Sequence, residues 1–205
     1  PIFDRRKEVF AYQLLFKSGS GDTFVNNLIA KKKDADKTNL KGVDSVMTTG
    51  LKAITGGKKA VINFTPDMLA NNLPLVFPND LLGVEITDDS GKGKKFNSAV
   101  KKLKNAGYLL FLNDQLFNRG DASFVRLADV IGVDFRSQGL SKRSGIFDDE
   151  LNRPRFMAKS VETFTDYSVA ADKGYQYFQG NFFQMGDVIA VRNIPSYKIN
   201  FMRIL

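Results

Sequence analysis

Short, almost wholly apolar segments recur along the chain, and each is separated from the next by an amphipathic or turn-rich stretch. The segments predicted to be strands cover residues 9–16, 60–64, 81–87, 108–112, 128–135, 156–161 and 175–178. A strand without a polar face must be buried on both sides, as in a parallel sheet covered by helices. The pattern therefore predicts an α/β domain, either doubly wound or closed into a (β/α) barrel.

Helical signals lie between these strands. Thr65 followed by Pro66 predicts a helix N-terminus, because threonine caps the backbone N–H groups and proline fits the first turn. The helix over 95–105 is predicted to turn Phe96, Ala99, Val100 and Leu103 inward, and the helix that Thr163 caps is predicted to turn Phe164, Tyr167 and Ala171 inward. In a helix over 43–54 the residues predicted to share one face are Val43, Val46, Met47, Gly50, Leu51 and Ile54. The alternation of strand and helix is thus supported by both kinds of element.

Polar residues stand where the apolar strands end. They are Asn63, Glu85, Asn113, Asp114, Asp134, Glu162 and Gln179. In a barrel the functional groups lie at the carboxyl ends of the strands, so these side chains are the candidate site. The GxGxxG pattern does not follow the first strand, which argues against a dinucleotide-binding fold.

Composition narrows the possible chemistry. The 205 residues include no cysteine and no histidine, so thiolate metal sites, a cysteine nucleophile and a histidine base are excluded. The net charge is +8, but the lysines are dispersed, and we expect solvated surfaces rather than nucleic-acid binding. No stretch approaches the ~20 apolar residues that span a bilayer. We expect a cytoplasmic protein without membrane contact, in keeping with the absence of cysteine.

Seven segments, taken in order, resemble the EAL domains, which are barrels of the cyclic di-GMP phosphodiesterase type. They are PIFDRRKEVFAYQLLF, INFTPDML, VEITDD, NAGYLLFLND, ADVIGVDF, AKSVET and GYQYFQGNFF. The resemblance is to EAL domains joined to an HDOD domain in particular. It implies an α/β fold, a (β/α)8 TIM-like barrel, over residues 1–190. Residues 191–205 would then be a linker and the start of an HDOD-like domain.

Active EAL domains hydrolyse one phosphodiester of cyclic di-GMP with Mg or Mn held by oxygen ligands. The resemblance places the family's active-site positions at Gln13, Asn63, Glu85, Asn113, Asp114, Gly132, Asp134, Lys159, Glu162 and Gln179. Four of them depart from the family pattern: Gln13 and Lys159 replace glutamates, Asn113 replaces an aspartate, and Gly132 replaces a lysine.

These departures remove negative charge from the place where a divalent cation would bind. We therefore expect the ten positions to be vestigial, with no catalytic residue, no metal and no other cofactor. Buried carboxylates need a cation of some kind, so Glu85 and Asp114 are expected to pair with Lys159 or Lys17 instead of a metal.

The resemblance and the departures together imply a non-catalytic bacterial signalling domain, for example in motility or biofilm regulation. It would act through an unidentified protein partner and bind cyclic di-GMP weakly or not at all. The alternative is a cyclic di-GMP receptor, or a weak phosphodiesterase that uses Mg or Mn at the same positions. A nucleic-acid binder is suggested by the net charge alone.

Overall fold

Eight strands close into a barrel in which neighbours along the chain are also neighbours in space. The computed structural model describes residues 1–14, 49–86, 93–118, 126–136 and 154–183. The strands are β1 Ile2–Asp4, β2 Val9–Leu14, β3 Lys59–Asn63, β4 Leu82–Ile86, β5 Leu109–Asn113, β6 Val130–Asp134, β7 Arg155–Lys159 and β8 Tyr177–Phe178. The TIM-like barrel that the resemblance implies is confirmed.

Strand β1 is the one element that breaks the parallel arrangement. Strands β2 to β8 pair in parallel, whereas β1 runs antiparallel to both β2 and β8. A tight turn joins β1 to β2, and Lys7 adopts a left-handed backbone conformation in it, with φ of 62°. The sequence analysis contains no strand here, because three residues are too short to show a periodic pattern.

The helices lie outside the barrel. They are α1 Pro66–Ala70, α2 Lys94–Asn105, α3 Asp114–Asn118 and α4 Phe164–Asp172, with a 3-10 helix at Leu73–Val76 and further helical residues at 49–55. Thr65 and Thr163 cap α1 and α4 with their side chains, as predicted, and Asp166 completes a capping box on α4. Within the described residues, no helix has the length and apolarity needed to cross a membrane.

Two of the side chains predicted to lie on the apolar helix faces are exposed. The four predicted in α2 are buried and so is Tyr167, but Ile54 is 67% exposed and Phe164 is 52% exposed. Thr55 occupies the buried position beside Ile54, and its hydroxyl donates to backbone carbonyls of Leu51 and Lys58. Phe164 is the first residue of α4, where its ring lies 4.5 Å from the ammonium of Lys7.

The inside of the barrel is layered. Alternate strand residues face inward, and an apolar cluster fills the interior: Ile2, Ala11, Val61, Phe111, Val130, Met157 and Tyr177. At Gly83 a Cβ atom would lie 2.7 Å from the ring of Phe111, so glycine leaves room for that ring. Two residues further along their strands, on the same face, come Gln13, Asn63, Glu85, Asn113, Lys159 and Gln179, and four residues after Val130 comes Asp134. We call this polar layer the barrel mouth.

Candidate functional site

Glu85 lies at the centre of the barrel mouth, and protein groups engage both of its carboxylate oxygens. It is only 3% exposed. The ammonium of Lys159 lies 2.8 Å from Oε1, and the amide of Gln13 donates to Oε2 over 2.5 Å. A carboxylate held away from water is destabilising unless a cation and hydrogen-bond donors accompany it. The predicted pairing of Glu85 with Lys159 is confirmed, while Lys17 lies outside the described residues.

A second amide extends this arrangement around the mouth. Gln179, directly after β8, donates from Nε2 to the amide oxygen of Gln13 over 2.5 Å. The side chain of Gln13 therefore accepts from one neighbour and donates to Glu85, which fixes its orientation. We call these four residues, Gln13, Glu85, Lys159 and Gln179, the mouth network. It joins β2, β4, β7 and the end of β8.

Gly180 positions the last member of the network, a role that the sequence analysis missed. The backbone of Gln179 donates to Ala158 and accepts from Val161, which ties it to the end of β7. At position 180 a Cβ atom would lie 2.1 Å from the carbonyl oxygen of Val161, so only glycine allows this approach. A glycine two residues after the last strand is the signal that could have indicated it.

Gly132 makes room for the end of the Lys159 side chain. A Cβ atom at position 132 would lie 2.5 Å from Cε of Lys159, 3.2 Å from its Nζ and 3.1 Å from Cε of Met157. Any larger residue at position 132 must displace these atoms or move itself. The sequence analysis interprets Gly132 only as the loss of a lysine, and the structure adds that this glycine lets the neighbouring strand present a lysine of its own.

The other candidate positions lie in or near the mouth but outside the network. Asn113 accepts the backbone N–H of Leu116 at 3.0 Å, within the first turn of α3. Asp134 accepts the backbone N–H of Arg136 at 3.1 Å. The remaining three are Asn63, paired in register with Glu85, Asp114, the first residue of α3, and Glu162, whose backbone N–H donates to Asp166. Lys159 pairs with Glu85 and not with Asp114.

The acids of the mouth do not gather around one point. Within the part of the chain that the structure describes, no three acidic side chains form a group that could hold a metal ion. Tyr175 is a further titratable group whose pKa is shifted. Burial, and to a smaller extent the charge of Asp134, raises the pKa of Tyr175 to about 12. This phenol stays protonated at neutral pH, so it cannot act there as a general base.

Sequence comparisons give two relatives that match the whole chain, although no protein-family profile matches it. The uncharacterized protein YuxH of Bacillus subtilis is 30% identical over 211 residues, which is 100% of this chain and 50% of that protein. The cyclic di-GMP phosphodiesterase CdgJ of Vibrio cholerae is 27% identical over 208 residues, covering 100% of this chain and 47% of that protein. The chain thus spans about half the length of the curated relatives it matches.

A solved structure shares the fold. The YkuI protein of Bacillus subtilis, which has an EAL domain and was solved in complex with substrate cyclic di-GMP and calcium, superposes with a TM-score of 0.58. The match covers 90% of this chain and 52% of that one, at 15% sequence identity. At this identity the likeness establishes the barrel architecture and leaves the chemistry to the residues of the mouth.

Proposed function

We propose that this chain, which has the barrel fold of the EAL domains, is a regulatory domain that has lost cyclic di-GMP hydrolysis. One observation carries the proposal: the buried carboxylate of Glu85 is engaged by Lys159 on one oxygen and by Gln13 on the other. In a metal-dependent phosphodiesterase such a carboxylate must give an oxygen to the ion. Here the protein supplies its own cation.

The residues present do not fit a divalent ion. An ion bound to Glu85 would either displace the ammonium of Lys159 or lie beside it. The first choice breaks an ion pair at 2.8 Å, and the second places like charges together where water screens them poorly. Gln13 offers only a neutral amide oxygen, which already accepts a hydrogen bond from Gln179. A carboxylate at this position would bind a divalent ion more strongly. No step of hydrolysis is therefore assigned to these side chains.

A hydrolysis assay tests the loss of activity. Purified protein is incubated with cyclic di-GMP and either Mg²⁺ or Mn²⁺, and the linear dinucleotide product is followed by chromatography. We expect no turnover above the protein-free control, with the Vibrio relative CdgJ as positive control. Turnover that Glu85→Ala abolishes would refute the proposal, provided that circular dichroism shows the variant to be folded.

A cyclic di-GMP receptor is the second candidate. The polar residues Asn63, Asp114, Asp134 and Glu162 remain at or near the mouth, and the relative CdgJ is named as a cyclic di-GMP phosphodiesterase. Titration calorimetry with cyclic di-GMP, with and without Mn²⁺, distinguishes the candidates. A saturable heat of binding that is altered by Lys159→Met or by Glu85→Ala would favour a receptor. If the domain is a non-catalytic regulator, we expect weak binding or none.

We further propose that the barrel acts through a protein partner in a bacterial signalling pathway such as motility or biofilm control. A domain that does not turn over its ligand must transmit information by contact. The curated relatives are about twice as long as the matched region, which supports a further domain in the parent protein. The proposed linker and HDOD-like start at 191–205 lie outside the described residues.

A further inference from the structure

We infer that the groove between α1 and α2 is the docking site for an acidic segment of a protein partner. This inference rests on the proposed function, because it names the kind of partner through which a non-catalytic barrel would act. Helices α1 and α2 pack against each other on the outside of the barrel. The groove between them encloses about 480 Å³ and is lined by Ala70, Asn72, Lys94, Lys95, Ser98, Ala99 and Lys102.

All the charged side chains of α2 are positive. Its twelve residues, KKFNSAVKKLKN, include five lysines and no acid. Lys104 is neutralised by Asp129 at 2.6 Å. Lys94, Lys95 and Lys102 are exposed and line the groove, and none of them forms an ion pair with another residue in the described parts of the chain. Three cations therefore converge on one groove without an internal counter-charge from those parts.

The opposite wall adds no acid at the groove. Asp67 of α1 lies one helical turn before Ala70, and it is not among the described residues that line the groove. Ala70 and Ala99 form a small apolar floor, on which an extended backbone can lie close to the helices. Asn72 and Ser98 supply hydrogen-bonding groups beside the lysines. The lining thus offers positive charge at the rim, and its small floor residues let a peptide backbone come close to the helices.

The chemistry of the lining selects the class of partner. A small-molecule site places buried polar groups around its ligand, whereas the lysines here are exposed. Single-stranded nucleic acid is held by aromatic side chains on which bases stack, and the described lining residues include no aromatic side chain. Exposed lysines above a small apolar floor suit the Asp and Glu side chains of an extended peptide.

The test uses a fluorescein-labelled octaglutamate peptide as probe and fluorescence anisotropy as readout. The groove variant carries Lys94→Ala, Lys95→Ala and Lys102→Ala. The matched control removes the same charge elsewhere, with Lys52→Ala, Lys58→Ala and Lys173→Ala, three exposed lysines outside the groove. We expect about tenfold weaker binding by the groove variant and less than a twofold change in the control. Added salt should weaken binding by the unmodified protein.

Three results would overturn the inference. They are equal losses in the two variants, no binding by the unmodified protein at low salt, and displacement of the peptide by an equal concentration of an eight-nucleotide oligo-dT. The first would mean that net charge alone attracts the peptide, and the third that the groove prefers nucleic acid. Turnover of cyclic di-GMP would refute the proposed function whatever the peptide does, so the two failures are distinguishable.

Discussion

Replacing Lys159 by methionine tests the central contact of the mouth directly. The substitution keeps most of the apolar stem and removes the ammonium that lies 2.8 Å from Glu85. Removing one partner of a buried ion pair costs about 3–5 kcal/mol, because the other charge stays buried without compensation. Gln13 still donates to Glu85, and 26% of the Lys159 side chain is exposed, so water can enter. We expect a loss near the lower end, about 3 kcal/mol of unfolding free energy.

A double-mutant cycle separates the ion pair from simple packing. Glu85→Gln alone leaves Lys159, whose ammonium can turn towards water, so we expect a smaller loss of about 1 kcal/mol. Combined with Lys159→Met, the same change should recover part of the loss, because no unpaired charge remains. The coupling free energy should be at least about 1.5 kcal/mol.

Urea unfolding at pH 7, followed by circular dichroism, gives each free energy of unfolding. Lys52→Met, at an exposed helical position, is the control and should change it by no more than about 0.5 kcal/mol. A comparably small effect of Lys159→Met, or additive effects in the cycle, would show that Glu85 does not depend on Lys159. In that case the argument against a metal ion would lose its basis.

Three further predictions concern the mouth and the phenol beside it. Gly132→Ala should cost about 1–3 kcal/mol by urea unfolding, and clearly less when Lys159→Ala has removed the side chain that the new methyl group would meet. Gln13→Glu combined with Lys159→Glu adds two anions and removes a cation, so calorimetry should show saturable Mn²⁺ binding that the unmodified protein lacks; two flat titrations would count against the electrostatic argument. The pKa of Tyr175 is raised above its ordinary value of 10.0 to about 12, so the protonated phenol contributes stability that is fully present below pH 10 and is lost as the pH rises towards 12. Tyr175→Phe should make this alkaline decline shallower, and identical slopes in the two proteins would rule out that contribution.

Local signals predicted much of the fold. Thr65 and Thr163 cap helices where the sequence places them, because capping depends on residues within a few positions. The inward face of α2 was equally clear, since lysines mark its outer side. The ends of helices were harder, and Ile54 and Phe164 are exposed because periodicity does not reveal where the neighbouring elements stop covering a helix.

Only some contacts of the candidate site could be predicted from the sequence. The need of Glu85 for a cation followed from charge, with Lys159 and Lys17 as candidates, and the structure shows the ion pair with Lys159. The role of Gly132 could not be foreseen, because its contact with Lys159 depends on the register of β6 against β7. The link from Gln179 through Gln13 to Glu85 likewise requires closure of the barrel, which no local pattern specifies.

The retention of Glu85 follows from its cation and is not by itself a sign of activity. The apolar layer beneath the mouth, which includes Ala11 and Tyr177, fills the barrel with side chains, so apolar contacts pack the interior. Above it, each buried polar group must find a partner, but the partner can change. Gly132 leaves room for the end of the Lys159 side chain, which pairs with Glu85. Removing the charge of one of these two residues leaves the charge of the other without its partner. We therefore expect the charge of the whole mouth, rather than the count of acids in it, to decide between enzyme and regulator.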